Sequence, residues 1–168
     1  MAPQGSNQTR HWQALDAAHH IHPFTDSAAL NAEGVRVITR AHGIHLWDSD
    51  GRKFVDGMSG LWCVQLGYGN EELADAGYAA LKTLSYYNHF FRTSNPWTIE
   101  LAATLATLLP AGHSRILFAN SGSEANDTAL KLIRYYWNLK GKPHKKIHLS
   151  REYGYHGVTF AAASLSGL

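Results

Sequence analysis

The sequence has little cysteine, and its apolar runs are short. Cys63 is the only cysteine, which excludes an internal disulfide framework and a zinc site built from several thiolates. Every apolar run is interrupted by glycine, serine, histidine or a charge before it reaches the roughly 20 residues that a membrane-spanning helix needs. Residues 1–10 are polar and lack the apolar core of a secretory signal. We therefore expect a cytoplasmic protein without membrane contact.

Charge of either sign is also scarce. Asp, Glu, Lys and Arg make up 17% of the chain, and the formal net charge is +2 at pH 7. Much of the basic excess lies at Lys140, Lys142, Lys145 and Lys146, beside a glycine and a proline that favour an exposed loop. No basic stripe interleaved with aromatic residues accompanies these lysines, so we expect no nucleic-acid partner.

The chain contains 11 histidines, which raise the question of a metal site. Two groups stand out: residues 19–22, His-His-Ile-His, and the pair His42 and His45. Neither group has a cysteine or a carboxylate nearby at a spacing known from metal-binding motifs. We therefore expect surface or hydrogen-bonded histidines and no bound metal.

Hydrophobic residues are plentiful, at 45% of the chain with five tryptophans, as is typical of a soluble globular protein. Helical spacing of apolar residues predicts a helix over residues 10–20. Residues 35–56 are predicted to form a small antiparallel meander, because Asp50-Gly51 favours a tight hairpin turn. The strands of this meander are expected at residues 35–39, 44–47 and 53–55.

Two further helices are predicted from their start signals. Asn70 can cap a helix over residues 70–86 whose first turn holds two glutamates. Asn95-Pro96 repeats the start signal, and the apolar series that follows stops at Pro110. Residues 57–69 are glycine-rich and have no sustained period, which indicates a loop that carries aromatic side chains.

From residue 115 onward the pattern predicts a β-loop-α-β unit. Residues 116–119 form a short apolar run typical of a strand buried on both faces. A loop over residues 120–127 follows, then helical periodicity over 129–137, then a second strand at 146–149. In an α/β protein such a unit joins two parallel strands through a right-handed crossover.

The loop of that unit has the features of an anion-binding site. Gly122 lacks a Cβ, so the chain can bend there and bring its N–H groups close to a ligand. The first N–H groups of the next helix, with about half a positive charge from its dipole, favour a phosphate. Ser121 and Ser123 add hydroxyl donors. Ser121-x-x-Glu124 also matches a capping box, so plain helix capping is an alternative, whereas the absence of Gly-Lys-Ser/Thr excludes a nucleotide P-loop.

The wider string over residues 120–129, Asn-Ser-Gly-Ser-Glu-Ala-Asn-Asp-Thr-Ala, resembles the phosphate-binding motif of class III aminotransferases, the ω-transaminases. The resemblance extends over nearly all of residues 20–167. It implies an α/β protein with the type I pyridoxal-phosphate-dependent transferase fold, and pyridoxal 5'-phosphate as its cofactor. Four other segments resemble the family in order: residues 22–26, 46–51, 56–69 and 154–157.

The resemblance also implies a cofactor site. Gly122 and Ser123, with Ser121 beside them, would bind the cofactor phosphate, and Tyr155 would stack on the pyridine ring, which gains from an offset aromatic face. His156 belongs to this set as the neighbour of Tyr155, with its side chain pointing elsewhere. Without the resemblance, Tyr155 would be interpreted as an ordinary half-buried tyrosine near a turn.

Four aromatic residues are implied to bind substrate. Phe24 and Trp62 would line the substrate pocket, while Phe90 and Phe91 would reach the site of a partner subunit. The alternatives are a core tryptophan at position 62 and, at positions 90 and 91, a surface loop tied down by its aromatic side chains.

Two groups that this chemistry needs are missing. Amino transfer requires a lysine for the Schiff base and a carboxylate at the pyridine nitrogen, and in the family both lie downstream of the Tyr-His-Gly segment. We therefore expect the lysine beyond Leu168, and an inactive N-terminal fragment with no catalytic residue of its own. Residues 1–60 would form an N-terminal segment, and residues 61–168 the truncated start of the large cofactor-binding domain.

For the complete protein, the resemblance implies transfer of an amino group from an ω-amine or ω-amino acid to pyruvate. β-Alanine, a diamine such as putrescine, and taurine remain open as donors. The expected assembly is a homodimer or a tetramer of dimers. Two alternatives remain: a catalytically silent binding or scaffold protein, and another type I fold pyridoxal-phosphate enzyme such as a decarboxylase or a glutamate-semialdehyde-type mutase.

Overall fold

The part of the chain that the computed structural model describes, residues 6–167, forms seven helices and one three-stranded sheet. The chain divides into two units, Met1–Tyr87 and Asn88–Leu168. Among residues 6–167, none of the helices has both the length and the apolar character needed to cross a bilayer. In chain order the elements are α1 Asn7–His19, α2 Ser27–Glu33, β1 Ile38–His42, β2 His45–Asp48, β3 Lys53–Val55, α3 Ser59–Trp62, α4 Glu71–Thr83, α5 Pro96–Leu108, α6 Gly122–Leu139 and α7 Phe160–Leu165.

The sheet of the first unit is the predicted meander. Its strands are antiparallel and follow the order β1-β2-β3, with His42 opposite His45 and Trp47 opposite Lys53. Gly51 has a φ of 81°, the left-handed conformation that glycine adopts without steric cost, so it closes the β2–β3 turn as predicted. The first strand lies three residues further along the chain than predicted, at Ile38–His42.

Helix α1 is held to this sheet by polar contacts. The Thr9 hydroxyl lies 2.8 Å from both Ser49 Oγ and Asp50 Oδ1, in the β2–β3 turn, and Thr9 is buried. Leu15, on the predicted apolar face, is 46% exposed. The predicted helix is therefore confirmed, but a threonine rather than a leucine makes its buried contact.

Helices α4 and α5 begin where their caps were predicted. The Asn70 side chain accepts a hydrogen bond from the Leu73 N–H at 3.0 Å, and the Asn95 side chain accepts one from the Thr98 N–H at 3.0 Å. Each bond satisfies one of the N–H groups that a helix leaves without a partner in its first turn. Pro96 occupies the first turn of α5, where its missing N–H costs nothing.

Removal of the Asn95 cap should destabilise the second unit. We expect Asn95→Ala to lower the free energy of unfolding by about 1 kcal/mol, because the Thr98 N–H loses its acceptor. Urea denaturation followed by circular dichroism measures the loss. Asn95→Asp keeps a side-chain oxygen at the cap and should retain most of the stability; an equal loss in both variants would contradict the capping role.

The predicted parallel strands are wrong for the described residues. Residues 116–119 and 146–149 have no assigned strand, and the side chains of Ile147 and Leu149 are 89% and 94% exposed. A strand exists only through hydrogen bonds to a neighbour, and neither segment makes a ladder with any residue of 6–167. The loop and the helix of the predicted β-loop-α-β unit are both present, and α6 begins at Gly122.

Candidate functional site

The N-terminus of α6 is capped by Ser121. Its Oγ accepts a hydrogen bond from the Glu124 N–H at 3.1 Å, which is the first arm of the predicted capping box. The second arm differs, because Glu124 Oε2 accepts hydrogen bonds from the backbone and side-chain nitrogens of Asn120, at 3.0 and 3.2 Å, and not from Ser121. The Glu124 carboxylate is thereby held by the residue that precedes the cap.

Two backbone N–H groups remain available at this helix end. Among the described residues, the N–H groups of Gly122 and Ser123 donate to no acceptor, and α6 places them in its first turn. No atom lies within 4 Å of the position that a Cβ would take on Gly122, so this part of the turn is open. Adjacent free N–H groups at the positive end of an 18-residue helix suit an anion such as a phosphate.

Ser123 connects the helix end to the segment that follows Tyr155. Its Oγ accepts a hydrogen bond from the Val158 N–H at 3.0 Å, and its carbonyl accepts one from the Thr159 hydroxyl at 3.1 Å. The hydroxyl hydrogen of Ser123 is not used by the Val158 contact, so it can still donate to an anion. A Cβ on Gly157 would lie 2.5 Å from Ser123 Oγ, which shows how closely this segment approaches the helix.

Asn126 and Asp127 strengthen the same junction, although sequence reasoning assigned no role to either. Asn126 Nδ2 donates to the His156 carbonyl at 2.6 Å. Asp127 Oδ1 accepts hydrogen bonds from the Thr159 hydroxyl at 2.7 Å and the Ala162 N–H at 2.8 Å. The Thr159 hydrogen bond, followed by those from backbone N–H groups, holds the pKa of Asp127 below its ordinary value. The partners in these hydrogen bonds lie 30 to 35 residues apart along the chain, so no local sequence pattern predicts the contacts.

Acid should loosen this junction. Because the folded pKa of Asp127 is lowered, the carboxylate contributes stability above its unfolded pKa, and this stability is lost as pH falls below about 4. We expect Asp127→Asn to lose that part of the acid dependence, which denaturation at a series of pH values measures. Asp75→Asn, in exposed α4, should leave the profile unchanged; a similar flattening in both variants would contradict the assignment.

Tyr155 and His156 occupy the loop that these contacts hold. The Tyr155 side chain is 52% exposed. The His156 N–H donates to Ser166 Oγ at 2.9 Å, and its Nε2 is buried without a hydrogen-bond partner among the described residues. The structure therefore brings His156, Gly157 and Ser123 together, while cofactor binding by Tyr155 and His156 stays a prediction.

In the first unit, Trp62 lies in a left-handed turn. Ser59, Gly60, Leu61 and Trp62 have φ values of 49°, 60°, 58° and 68°. Non-glycine residues rarely adopt this conformation, and such strain is concentrated at functional sites. The Trp62 side chain is 75% exposed.

The Asp56 carboxylate fastens this turn. It accepts hydrogen bonds from the Met58 N–H at 3.0 Å, the Gly60 N–H at 2.6 Å and the Tyr68 hydroxyl at 2.7 Å. The bond from Tyr68 is the main reason that the pKa of Asp56 is lowered, and it raises the pKa of Tyr68. Sequence reasoning identified Trp62 but not the aspartate that positions it.

The other predicted substrate residues are also exposed. Phe24 has a φ of 51° and is 80% exposed. In the second unit, Phe90 and Phe91 are 71% and 92% exposed, with ring centroids 6.1 Å apart. The Thr93 hydroxyl fixes their turn by donating to the Phe90 carbonyl at 2.6 Å. Within residues 88–167, no hydrogen bond or ring contact joins these two phenylalanines to α6, and their substrate role stays a prediction.

A family model and a sequence relative both match this chain to aminotransferases. The family model for Aminotransferase class-III matches residues 28–168. The chain is 50% identical over 161 residues to the putrescine–pyruvate aminotransferase of Pseudomonas aeruginosa, and the match covers 96% of this chain and 35% of that protein.

Solved structures of omega-transaminases are also similar to this chain. An (S)-enantioselective omega-transaminase from Thermomicrobium roseum superposes with a TM-score of 0.91 at 42% identity, over 95% of this chain and 36% of that one. The omega transaminase of Pseudomonas jessenii in complex with PMP gives a TM-score of 0.90 at 40% identity, over 93% and 34% of the respective chains. The chain spans about a third of the length of each of these relatives.

Proposed function

The chain belongs to the class-III aminotransferase family, and from this we propose that it supplies the phosphate-binding part of an enzyme that transfers an amino group from an ω-amine to pyruvate. Enzymes of this family depend on pyridoxal phosphate. The solved relatives are transaminases, which confirms the predicted α/β fold of type I pyridoxal-phosphate enzymes.

The free N–H groups of Gly122 and Ser123 carry this proposal. They lie side by side at the positive end of α6, with the Ser123 hydroxyl beside them, and together they present three donors to one anion. A phosphate has the charge and the acceptor oxygens that such a set binds, and charge-assisted hydrogen bonds of this kind are the strong ones. The residues present therefore fit the phosphate of the cofactor.

The other residues of the proposed site would order the helix, position the Tyr155 segment or contact the substrate. When bound, pyridoxal phosphate supplies an aldehyde and an electron-accepting ring for the movement of the amino group and a proton. Ser121 keeps the α6 N-terminus ordered, and Asp127 holds the Tyr155 segment against it. Tyr155 would pack against the ring of the bound cofactor and help to orient it, which is how an enzyme places reacting atoms. Phe24 and Trp62 line the donor pocket, and Phe90 and Phe91 extend to a partner subunit's site.

A diamine of the putrescine type is the donor that we propose. The support is the 50% identity to an enzyme named for putrescine and pyruvate. β-Alanine and taurine each carry an acidic group where putrescine carries a second amine. A pocket that accepts the diamine therefore disfavours these acids, so relative rates with the three donors discriminate among them.

Spectral titration of the protein that contains this chain tests the proposed reaction. Putrescine should convert the bound cofactor from its aldehyde to its amine form, and pyruvate should restore the aldehyde spectrum with formation of alanine. Release of carbon dioxide would favour a decarboxylase, and interconversion of a single compound without a keto acid would favour a mutase. Cofactor binding without any spectral response to an amine would favour the silent binding protein.

Trp62→Ala tests the substrate pocket. We expect the variant to change the ratio of rates between putrescine and a bulky aryl amine by about tenfold, because even a methylene of difference in fit to a hydrophobic pocket changes discrimination by about 1–3 kcal/mol. Cofactor affinity should change little. Steady-state rates with both amines measure the ratio.

Trp47→Ala provides a structural control. Trp47 packs in the sheet with Arg40 Cζ 3.8 Å from its ring centroid, so its loss should lower stability and leave the donor ratio unchanged. If Trp62→Ala also lowers the melting temperature without a change in the donor ratio, Trp62 is a structural residue.

A further inference from the structure

Three potential metal ligands meet at the C-terminal end of α1. Asp16 lies in the last turn of the helix, His20 is its C-cap residue, and His22 follows two positions later. Asp16 and His20 are four residues apart, which places them on one face of the helix. Beyond His20, whose backbone is extended, the chain brings the His22 ring back to the same carboxylate.

The distances between the three side chains suit coordination of a single metal ion. Asp16 Oδ1 lies 2.9 Å from His20 Nδ1 and 3.0 Å from His22 Nε2. The three ligand atoms all lie within 4.8 Å of one another. An ion with bonds of about 2.0–2.2 Å requires ligand atoms about 3–4 Å apart, so the two separations from Asp16 Oδ1 need little change.

From this geometry we propose that Asp16, His20 and His22 form a binding site for a divalent transition-metal ion of the zinc type. Two imidazoles and one carboxylate are the donors of many zinc, cobalt and nickel sites, whereas magnesium and calcium prefer oxygen ligands only. Three protein ligands leave a position for water.

The surroundings of the cluster favour binding of an ion. The side chains of Asp16 and His22 are 18% and 22% exposed, so they are held in place by the protein. The His20 side chain is 61% exposed and gives an ion access from solvent.

The bound ion would fasten the segment after α1 to the helix. In the structure, hydrogen bonds from the two rings to Asp16 already join these parts, and an ion would replace those shared protons. The expectation of no bound metal rested on residues 19–22, where the spacing alone gives no recognised ligand set. The carboxylate that completes the set is upstream, within the helix.

Metal titration tests the proposal. After treatment with EDTA, the protein should bind one Zn²⁺ per chain at this site in calorimetry, and Co²⁺ should give visible absorption bands of a site with nitrogen and oxygen ligands. Asp16→Asn and His22→Gln should each weaken Zn²⁺ binding by more than about tenfold. Zn²⁺ should also raise the melting temperature of the original protein, because only the folded state holds all three ligands.

His19→Gln is the matched control, since His19 is adjacent in sequence but outside the cluster. It should bind Zn²⁺ as the original protein does. Asn at position 16 has the shape of Asp and can still hydrogen-bond the two histidines, so circular dichroism should show a folded variant. The proposal is overturned if Zn²⁺ does not bind, if Asp16→Asn and His22→Gln bind it unchanged, or if His19→Gln weakens binding equally; the cluster then serves only as a set of hydrogen bonds.

Discussion

Gly157→Ala should lower the affinity for pyridoxal phosphate by more than about tenfold in the protein that contains this chain. The new Cβ would lie 2.5 Å from Ser123 Oγ and 2.8 Å from Ser123 Cα, closer than non-bonded atoms approach. The φ of Gly157 is +133°, which disfavours a side chain as well. Relief of the clash must move Ser123 or Val158, and either movement distorts the phosphate donors.

Equilibrium dialysis with pyridoxal phosphate measures this loss. Gly141→Ala is the matched control, because Gly141 also has a positive φ, of 68°, but no atom lies within 4 Å of its added Cβ. That variant should lose some stability and keep its cofactor affinity. If Gly157→Ala binds as tightly as Gly141→Ala does, the close approach to Ser123 has no part in cofactor binding.

Ser123→Ala should weaken cofactor binding by about 1.5–3 kcal/mol, which is about 10- to 150-fold in the dissociation constant. The variant keeps the Ser123 N–H but loses the hydroxyl that can donate to the phosphate, and it also removes the acceptor of the Val158 N–H. Binding of pyridoxal, which has no phosphate, should change much less. Isothermal titration with both ligands therefore separates a phosphate contact from a general loss of the site.

Thr159→Val distinguishes the hydroxyl of Ser123 from the junction that surrounds it. This variant removes the bonds from Thr159 to the Ser123 carbonyl and to Asp127, at 3.1 and 2.7 Å, and leaves the Ser123 hydroxyl in place. It should lower the melting temperature more than the cofactor affinity. If Ser123→Ala and Thr159→Val have the same effect on both ligands, Ser123 acts by holding the loop and not by binding phosphate.

Local signals in the sequence predicted much of the helical structure. Asn70, Asn95 and Ser121 each cap the helix that follows, because a side-chain oxygen at that position satisfies a free N–H within three residues. Gly51 closes the predicted hairpin for a similarly local reason. Features that depend on neighbours in the chain are therefore readable from the sequence alone.

Contacts between distant residues were not predictable in this way. The strands expected at 116–119 and 146–149 are absent from the described sheet, since an apolar run does not identify a pairing partner. The need for glycine at position 157 arises from the close approach of Ser123, which is far away in sequence. The left-handed conformation of Leu61 and Trp62 has no propensity signal at those residues, and the preceding Gly60 is held by a hydrogen bond to Asp56.

A crystal structure of the protein with pyridoxal phosphate would show whether the α6 N-terminus binds the phosphate of the cofactor. We expect phosphate oxygens within about 3 Å of the N–H groups of Gly122 and Ser123 and of Ser123 Oγ, with the pyridine ring against Tyr155. A cofactor phosphate bound elsewhere, with these N–H groups bonded to water or to protein carbonyls, would contradict it.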